Sequence, residues 1–232
     1  MALVTAASKG LGRATAVALA REGVRVAICA RGAEALADAE AELAASTDVL
    51  AIPADVTDPA QPARLVAATV ERFGRLDILV GNAGGPPPGR ALDVGDDQFQ
   101  AALNANLLTS VRLVREAVPH LRAQGWGRIC LITSSSIKQP IPTLALSNAA
   151  RTGLWAWAKT AAADIFGDGI TLNLACPGSH ATDRMKAISV PTGPMGDPAD
   201  FGRVVAFLCS EPAKFVSGST VVVDGARTVG LS

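Results

Sequence analysis

Short, almost wholly apolar runs alternate along this chain with longer amphipathic ones. The apolar runs at residues 3–5, 24–30, 49–53, 76–80, 128–133, 171–175 and 220–223 read as strands. Between them, residues 10–22, 33–45, 59–73, 96–122, 147–166 and 197–210 carry apolar positions at helical spacing. Strands that are apolar on both sides belong to a sheet covered on both faces, and strict alternation with helices makes that sheet parallel. Right-handed crossovers then wind it doubly. The chain is therefore predicted to be α/β, a doubly wound parallel sheet of seven strands with helices on both faces. Residues 1–232 form one domain in this reading, with no linker and no repeat. The proline-rich stretch Gly84-Gly85-Pro86-Pro87-Pro88-Gly89 is a rigid loop at a strand's carboxyl end, where such sheets bind ligands.

Composition narrows the function classes. The 49% apolar residues among 232 are enough for a substantial core, and the 4% aromatics leave its packing to small and branched side chains. Acidic and basic residues balance at 21 each without a block of like charge, so neither nucleic acid nor a membrane surface is an expected partner. No apolar run approaches a membrane span. Met1-Ala2-Leu3-Val4-Thr5 runs straight into a strand without a basic leader, which points to a cytoplasmic protein. Cys29, Cys130, Cys176 and Cys209 form no Cys-x-x-Cys pair and are expected to be reduced, buried thiols. With only His120 and His180 to join them, no metal is expected.

Chemistry concentrates at the predicted strand ends. The first strand enters Thr5-Ala6-Ala7-Ser8-Lys9-Gly10-Leu11-Gly12 and then a helix, whose free N–H groups and positive dipole end suit a pyrophosphate. Asp55-Val56 follows the third strand and Gly81-Asn82-Ala83-Gly84 the fourth. Pro177-Gly178-Ser179-His180-Ala181-Thr182 follows the sixth, Asn106 lies in a long helix, and the last strand closes as Val221-Val222-Val223-Asp224-Gly225. In order and placement these segments resemble the short-chain dehydrogenase/reductases, a Rossmann-like family, and the chain is similar to their 3-oxoacyl-acyl-carrier-protein reductase-like branch. The resemblance implies that Thr5, Ser8, Lys9, Gly10, Leu11 and Gly12 hold a dinucleotide. It further implies that Asp55 and Val56 clamp adenine, that Asn82, Ala83 and Gly84 line the site, and that Pro177, Gly178 and Thr182 meet the nicotinamide carboxamide. Ala6 departs from the family's first glycine, and is tolerable only with a negative φ. The second strand ends Cys29-Ala30-Arg31 without the acid that would accept a ribose 2′-hydroxyl. Arg31 and Lys9 could instead meet a 2′-phosphate, so NADP(H) is favoured over NAD(H). The alternative is an Arg31 that only caps its strand in solvent.

The resemblance also implies a Ser, a Tyr and a Lys that exchange protons with a substrate carbonyl. Ser134 falls at the family's serine, and thirteen residues on, the Tyr-x-x-x-Lys register reads Ser147-Asn148-Ala149-Ala150-Arg151. The chain has no tyrosine anywhere. Lys159, later on the same helix, marks the register without supplying the missing lysine. Ser147 and Arg151 are one turn apart and face the same way. Arg151 can grip the ribose hydroxyls, yet stays protonated and makes a poor relay. Ser147 is shorter than tyrosine and a far weaker acid. Candidate substitutes are Lys138, His180, or Ser147 relaying through water to Asn106, while His120 reads as structural. Against Lys138 and His180 stands a plain reading as a solvated or unassigned loop residue. No Gly-x-Ser-x-Gly elbow suggests a hydrolase.

Only thirteen residues separate Thr182 from Gly196-Asp197-Pro198, a short lid expected to leave the pocket open to a small-molecule or carrier-borne carbonyl substrate. Pro86, Pro87 and Pro88 would form the opposite rim. The resemblance implies a homodimer or homotetramer, and Trp155 and Trp157 suit either an interface or the core. The leading expectation is an NADP(H)-dependent oxidoreductase interconverting a ketone and an alcohol, slow or with an altered proton donor. The alternatives are a non-catalytic NADP(H)-binding module, and non-redox chemistry such as dehydration or isomerisation.

Overall fold

A computed structural model describes residues 1–188 and 193–230. Seven parallel strands form one sheet in the order β3-β2-β1-β4-β5-β6-β7. They are β1 (Ala2–Val4), β2 (Val26–Ala30), β3 (Val49–Pro53), β4 (Ile78–Gly81), β5 (Gly127–Ile132), β6 (Ile170–Pro177) and β7 (Thr220–Val223). The helices are α1 (Gly10–Arg21), α2 (Ala33–Ala44), α3 (Gln61–Phe73), α4 (Asp96–Leu103), α5 (Thr109–Arg122), α6 (Ala145–Phe166), α7 (Asp183–Ile188) and α8 (Pro198–Leu208). This is the doubly wound architecture expected from the alternation of apolar runs. The strand order reverses between β1 and β4, and the crevice at their carboxyl ends is the place where such sheets take ligands.

The core divides into one apolar layer on each face of the sheet. Leu3, Leu79, Leu131 and Leu172 point to the face covered by α3, α5 and α6. Val4, Val26 and Ile28 point to the face covered by α1, α2 and α8, where Phe201 of α8 joins their layer. Alternate residues of one strand thus serve opposite layers, which is why the central strands read as unbroken apolar runs. Gly202 lets α8 settle directly on the backbone of α1, because a Cβ there would strike the Ala14 carbonyl. All four cysteines are free and buried. Among the described residues no group of side chains could hold a metal ion, and no helix is long and apolar enough to cross a membrane.

Three expectations change. The helix expected over 96–122 is interrupted, because Asn104–Leu108 winds as a π-helical turn between α4 and α5. Asn104 explains the interruption: its amide donates to the Thr57 carbonyl at 2.9 Å and its carbonyl oxygen accepts from Arg112 at 2.7 Å. Those bonds pin the turn to the loop after β3. Ala6 has φ +48°, which overturns the expected negative value. The turn imposes it: Ala7 N–H must reach the Cys29 carbonyl at 3.0 Å while the Ala6 carbonyl accepts from the Asn82 amide at 3.2 Å. Finally, α7 was not foreseen in the short lid; four of that lid's residues, 189–192, lie outside the described ones. Trp155 and Trp157 are half-buried against the layer beneath α6, which favours their core role.

Candidate active site

The turn after β1 is locked to the turn after β4. Thr5 Oγ1 donates to the Asn82 carbonyl at 2.7 Å and accepts from the Asn82 N–H at 2.8 Å. Thr5 is fully buried and therefore braces the site from below. Gly10 opens α1 at φ +57°, a conformation that favours glycine. Lys9, the residue capping α1, puts no side-chain hydrogen bond on the first-turn N–H groups. Those donors remain for an anion, as at other helix N-termini that bind phosphate.

The crevice holds a cavity of about 560 Å³. It brings together Lys9, Gly10, Leu11, Asn82, Ala83 and Gly84 with Ser134, Ser147, Arg151, Pro177, Gly178 and Thr182. Segments separated by well over a hundred residues in sequence thus share one wall. The remaining expected residues stand outside it. Thr5 and Gly12 are buried beneath the turn, and Ser8 is half-buried beside it. Arg31 is exposed past β2, with a guanidinium nitrogen 3.9 Å from Asp55. Asp55 Oδ1 accepts from the Thr57 N–H and hydroxyl at 3.0 and 2.8 Å, and the backbone bond foremost holds its carboxyl below the usual range. Val56 is buried, with its carbonyl 3.1 Å from the Thr109 hydroxyl. Asn106 is buried in the π-helical turn, where Oδ1 has no partner among the described residues.

Ser147 and Arg151 sit near the start of α6, and both are buried. Arg151 Nη1 donates to the carbonyl of Ile132 at 3.0 Å, so the guanidinium ties α6 to the end of β5. Two residues beyond Ile132, the Ser134 hydroxyl accepts the Ser136 N–H at 3.1 Å, which leaves its own proton free to donate. The Ser147 hydroxyl has no hydrogen-bond partner among the described residues. Burial foremost, and then the charge of Arg184, push the Arg151 pKa down to about 10, so the group is cationic at neutral pH.

The candidate substitute acids separate clearly. Lys138 is outside the cavity lining, with its amine 4.1 Å from the centre of the Trp155 ring. His180 lines the cavity but is wedged edge-on against Phe201, and its Nδ1 lies 3.2 Å from the Gly178 carbonyl. A carbonyl only accepts, so Nδ1 carries the proton. His120 is outside the cavity lining.

The sequence reading missed two walls. Asp183, Arg184 and Met185 of α7 form one, and Arg184 Nη2 donates to the Pro86 carbonyl at 3.0 Å. The short lid thus reaches the proline rim instead of leaving it open. Its signal was Thr182, whose hydroxyl accepts the Met185 N–H at 3.3 Å as a helix cap does. Arg227 and Thr228 form the other wall. Thr228 is held to Asp224 Oδ2 through its N–H at 2.7 Å and its hydroxyl at 2.6 Å. Nothing in local periodicity marks such a fold-back.

Comparison with known proteins agrees with this geometry. The sequence profile described as Enoyl-(Acyl carrier protein) reductase matches residues 5–228. Versicolorin reductase 1 of Aspergillus parasiticus is 35% identical over 250 aligned positions, covering 97% of this chain and 95% of that protein. The 3-oxoacyl-[acyl-carrier-protein] reductase of Synechocystis sp. is 34% identical over 236 positions, with 97% and 95% covered. The structure of L-sorbose reductase from Gluconobacter frateurii, complexed with NADPH and L-sorbose, superposes with a TM-score of 0.93 at 28% identity, covering 99% of this chain and 97% of that one. With the family profile spanning nearly the whole sequence, the chain belongs to the short-chain dehydrogenase/reductase family, in its enoyl- and 3-oxoacyl-acyl-carrier-protein reductase-like branch.

Proposed function

We propose that this protein is an NADP(H)-dependent reductase that interconverts a ketone and an alcohol, with Ser147 and Arg151 in place of the family's tyrosine and lysine. The observation that carries this reading is the convergence of Ser134, Ser147 and Arg151 on the same cavity as Gly10, Asn82 and Thr182. The residues fit a dinucleotide. The first-turn N–H groups of α1 lack a side-chain cap, and Gly10 adopts the left-handed conformation beside them. Lys9 and Arg31 are exposed cations, and no acid ends β2. That charge pattern supports a 2′-phosphate. The solved L-sorbose reductase, whose complex contains NADPH, supports the same cofactor.

NADPH supplies the hydride, and the carbonyl oxygen must then gain a proton. Ser134 is free to donate a hydrogen bond to that oxygen. Arg151, cationic and lining the same cavity, would place positive charge at the reacting centre when the cofactor is bound. Ser147 passes a proton inward from water, and Asn106 Oδ1, without a partner among the described residues, provides a buried acceptor for such a water. A serine hydroxyl donates less readily than a phenol, so turnover is slow compared with a tyrosine-bearing relative. The substrate is a small-molecule or carrier-borne carbonyl compound, and the protein works as a homodimer or homotetramer in the cytoplasm.

The test follows NADPH oxidation across ketones, quinones and 3-oxoacyl thioesters, with Ser134→Ala alongside. Turnover that falls about 10²-fold or more in Ser134→Ala is the expected result. Tight NADPH binding without turnover of any carbonyl compound would make the chain a cofactor-binding module instead.

A further inference from the structure

The cavity wall has an excess of positive charge, part of which the reductase reading leaves without a role. Among the described residues Lys9, Arg151, Arg184 and Arg227 line it, against Asp183 alone. Arg227 is engaged by Ser179 Oγ and the Pro194 carbonyl, both at 2.9 Å. Arg151 and Arg184 differ from it and from each other in setting, yet neither has a carboxylate within ion-pair distance among the described residues. Among the described residues each guanidinium has only one hydrogen bond, to a neutral carbonyl: Ile132 for Arg151 and Pro86 for Arg184. Arg151 is buried and Arg184 is exposed; a buried arginine without an anion is costly, and the positive charge of Arg184 adds to that cost. Folded proteins retain such pairs where a ligand supplies the missing negative charge.

The position of Arg184 is built into the fold. Its guanidinium lies on Gly85, where any Cβ would collide with it, and its bond to Pro86 fixes it across the crevice. Ile141, Leu144 and Met185 make the neighbouring wall apolar. The anion therefore belongs to a molecule with an apolar body. The dinucleotide's own phosphates have other donors, in the first turn of α1 and in Lys9 and Arg31.

We propose that Arg151 and Arg184 bind a carboxylate carried by the carbonyl substrate, so that the enzyme reduces apolar oxo acids in preference to neutral ketones. This rests on the reductase reading above. The reaction is balanced by NADPH and one proton: the C=O becomes an alcohol, NADPH becomes NADP⁺, and the carboxylate is unchanged. Two nitrogens of a guanidinium match two oxygens of a carboxylate, and an ester loses both the charge and one acceptor.

The experiment compares an apolar 2-oxo or 3-oxo acid with its methyl ester, using wild type, Arg184→Gln and Arg184→Lys, and measures NADPH affinity in each. The expected result is a wild-type preference in kcat/KM for the acid. That ratio falls roughly tenfold or more in Arg184→Gln and is kept only in part in Arg184→Lys, which retains the charge without the paired donors. Equal use of acid and ester overturns the proposal. So does an Arg184→Gln variant that loses NADPH affinity with the ratio unchanged, since Arg184 would then serve the cofactor's phosphates. If neither compound turns over while NADPH still binds, the reductase reading fails separately. Titration of acid and ester into the NADP⁺ complex then decides the anion site: binding of the acid alone, lost in Arg184→Gln, supports it, and absence of that selectivity overturns it.

Discussion

The carbonyl oxygen of Ala6 occupies the space that a side chain at Gly12 would need. A Cβ on Gly12 would come 2.5 Å from that oxygen and 2.8 Å from the Asn82 amide nitrogen. Both neighbours are fixed to each other by a hydrogen bond, so neither can give way without opening the turn between β1 and α1. Gly12→Ala is expected to cost about 1–3 kcal/mol in stability, the usual range for overpacking. It should also weaken NADPH binding, because α1 can no longer start at its present depth. Thermal unfolding with and without NADPH checks both effects; a variant with unchanged melting and affinity would show that the turn is softer than its geometry implies.

Ala6 itself predicts a substitution that stabilises. At φ +48° the methyl group is in the left-handed region, which costs a non-glycine residue about 1–2 kcal/mol. Glycine there would remove that strain, against about 0.4–1 kcal/mol of extra freedom in the unfolded chain. Ala6→Gly should therefore raise the melting temperature by a degree or more, the scale on which about 1 kcal/mol moves a domain of this size by about 2–4 °C. A lower melting temperature would mean that the methyl group packs better than its backbone suggests.

Arg31 has a side chain 77% exposed and only a distant acidic neighbour, so little holds it in place before a ligand does. If it meets the 2′-phosphate, Arg31→Ala removes a charge-assisted hydrogen bond of about 1.5–3 kcal/mol. The expected loss is roughly 10–100-fold in NADPH affinity, with NADH affinity nearly unchanged. Fluorescence titration of both dinucleotides decides it, and an equal loss for both would place Arg31 away from the phosphate.

Much of this architecture is legible in the sequence, for physical reasons. Residues such as Val26, Ile28, Leu79 and Leu172 are buried between two helix layers, so their strands must be apolar throughout, and that signal is strong. Glycines at 10 and 12 and the pair Thr5 and Asn82 are legible because a tight turn at a strand end restricts residue type. The left-handed Ala6 is not, since its φ is set by bonds to Cys29 and Asn82 that lie far away in sequence. The same holds for the π-helical turn, where Asn104 trades a helical position for bonds to Thr57 and Arg112. Arg184 was hidden for another reason: α7 has six residues, too few to display a period.

Asp224 should make the wall at Thr228 sensitive to acid. Burial opposes ionisation, but the Thr228 hydroxyl and N–H and the neighbouring backbone N–H groups outweigh it and hold the carboxyl below its usual range. A carboxyl with a depressed folded pKa contributes stability that is complete above the unfolded value, about 3.9, and is lost as pH falls through the folded value. Asp224→Asn should therefore lower the melting temperature at pH 7, with the difference from wild type shrinking below about pH 4. A difference that is constant down to low pH would assign the effect to the shape of the side chain and not to its charge.

The proposal that Ser147 stands in place of the family's tyrosine can be tested directly. Ser147 faces a cavity of about 560 Å³ and makes no hydrogen bond among the described residues, so a phenol ring has room and disturbs no existing bond. Arg151, one turn away, would place positive charge near that phenol and draw its pKa below the ordinary value of about 10. Ser147→Tyr should then raise kcat for a reducible ketone, with general acid catalysis worth about 10²–10⁴-fold as the upper range. The pH profile should gain an ionisation below about 10 that the wild type lacks. Combining it with Arg151→Lys tests whether the arginine is an adequate partner, since lysine is the smaller point charge and leaves the Ile132 carbonyl bond to be remade. A fall in kcat for Ser147→Tyr, with NADPH affinity intact, would mean that the serine and arginine perform a chemistry of their own in which a phenol is an obstruction.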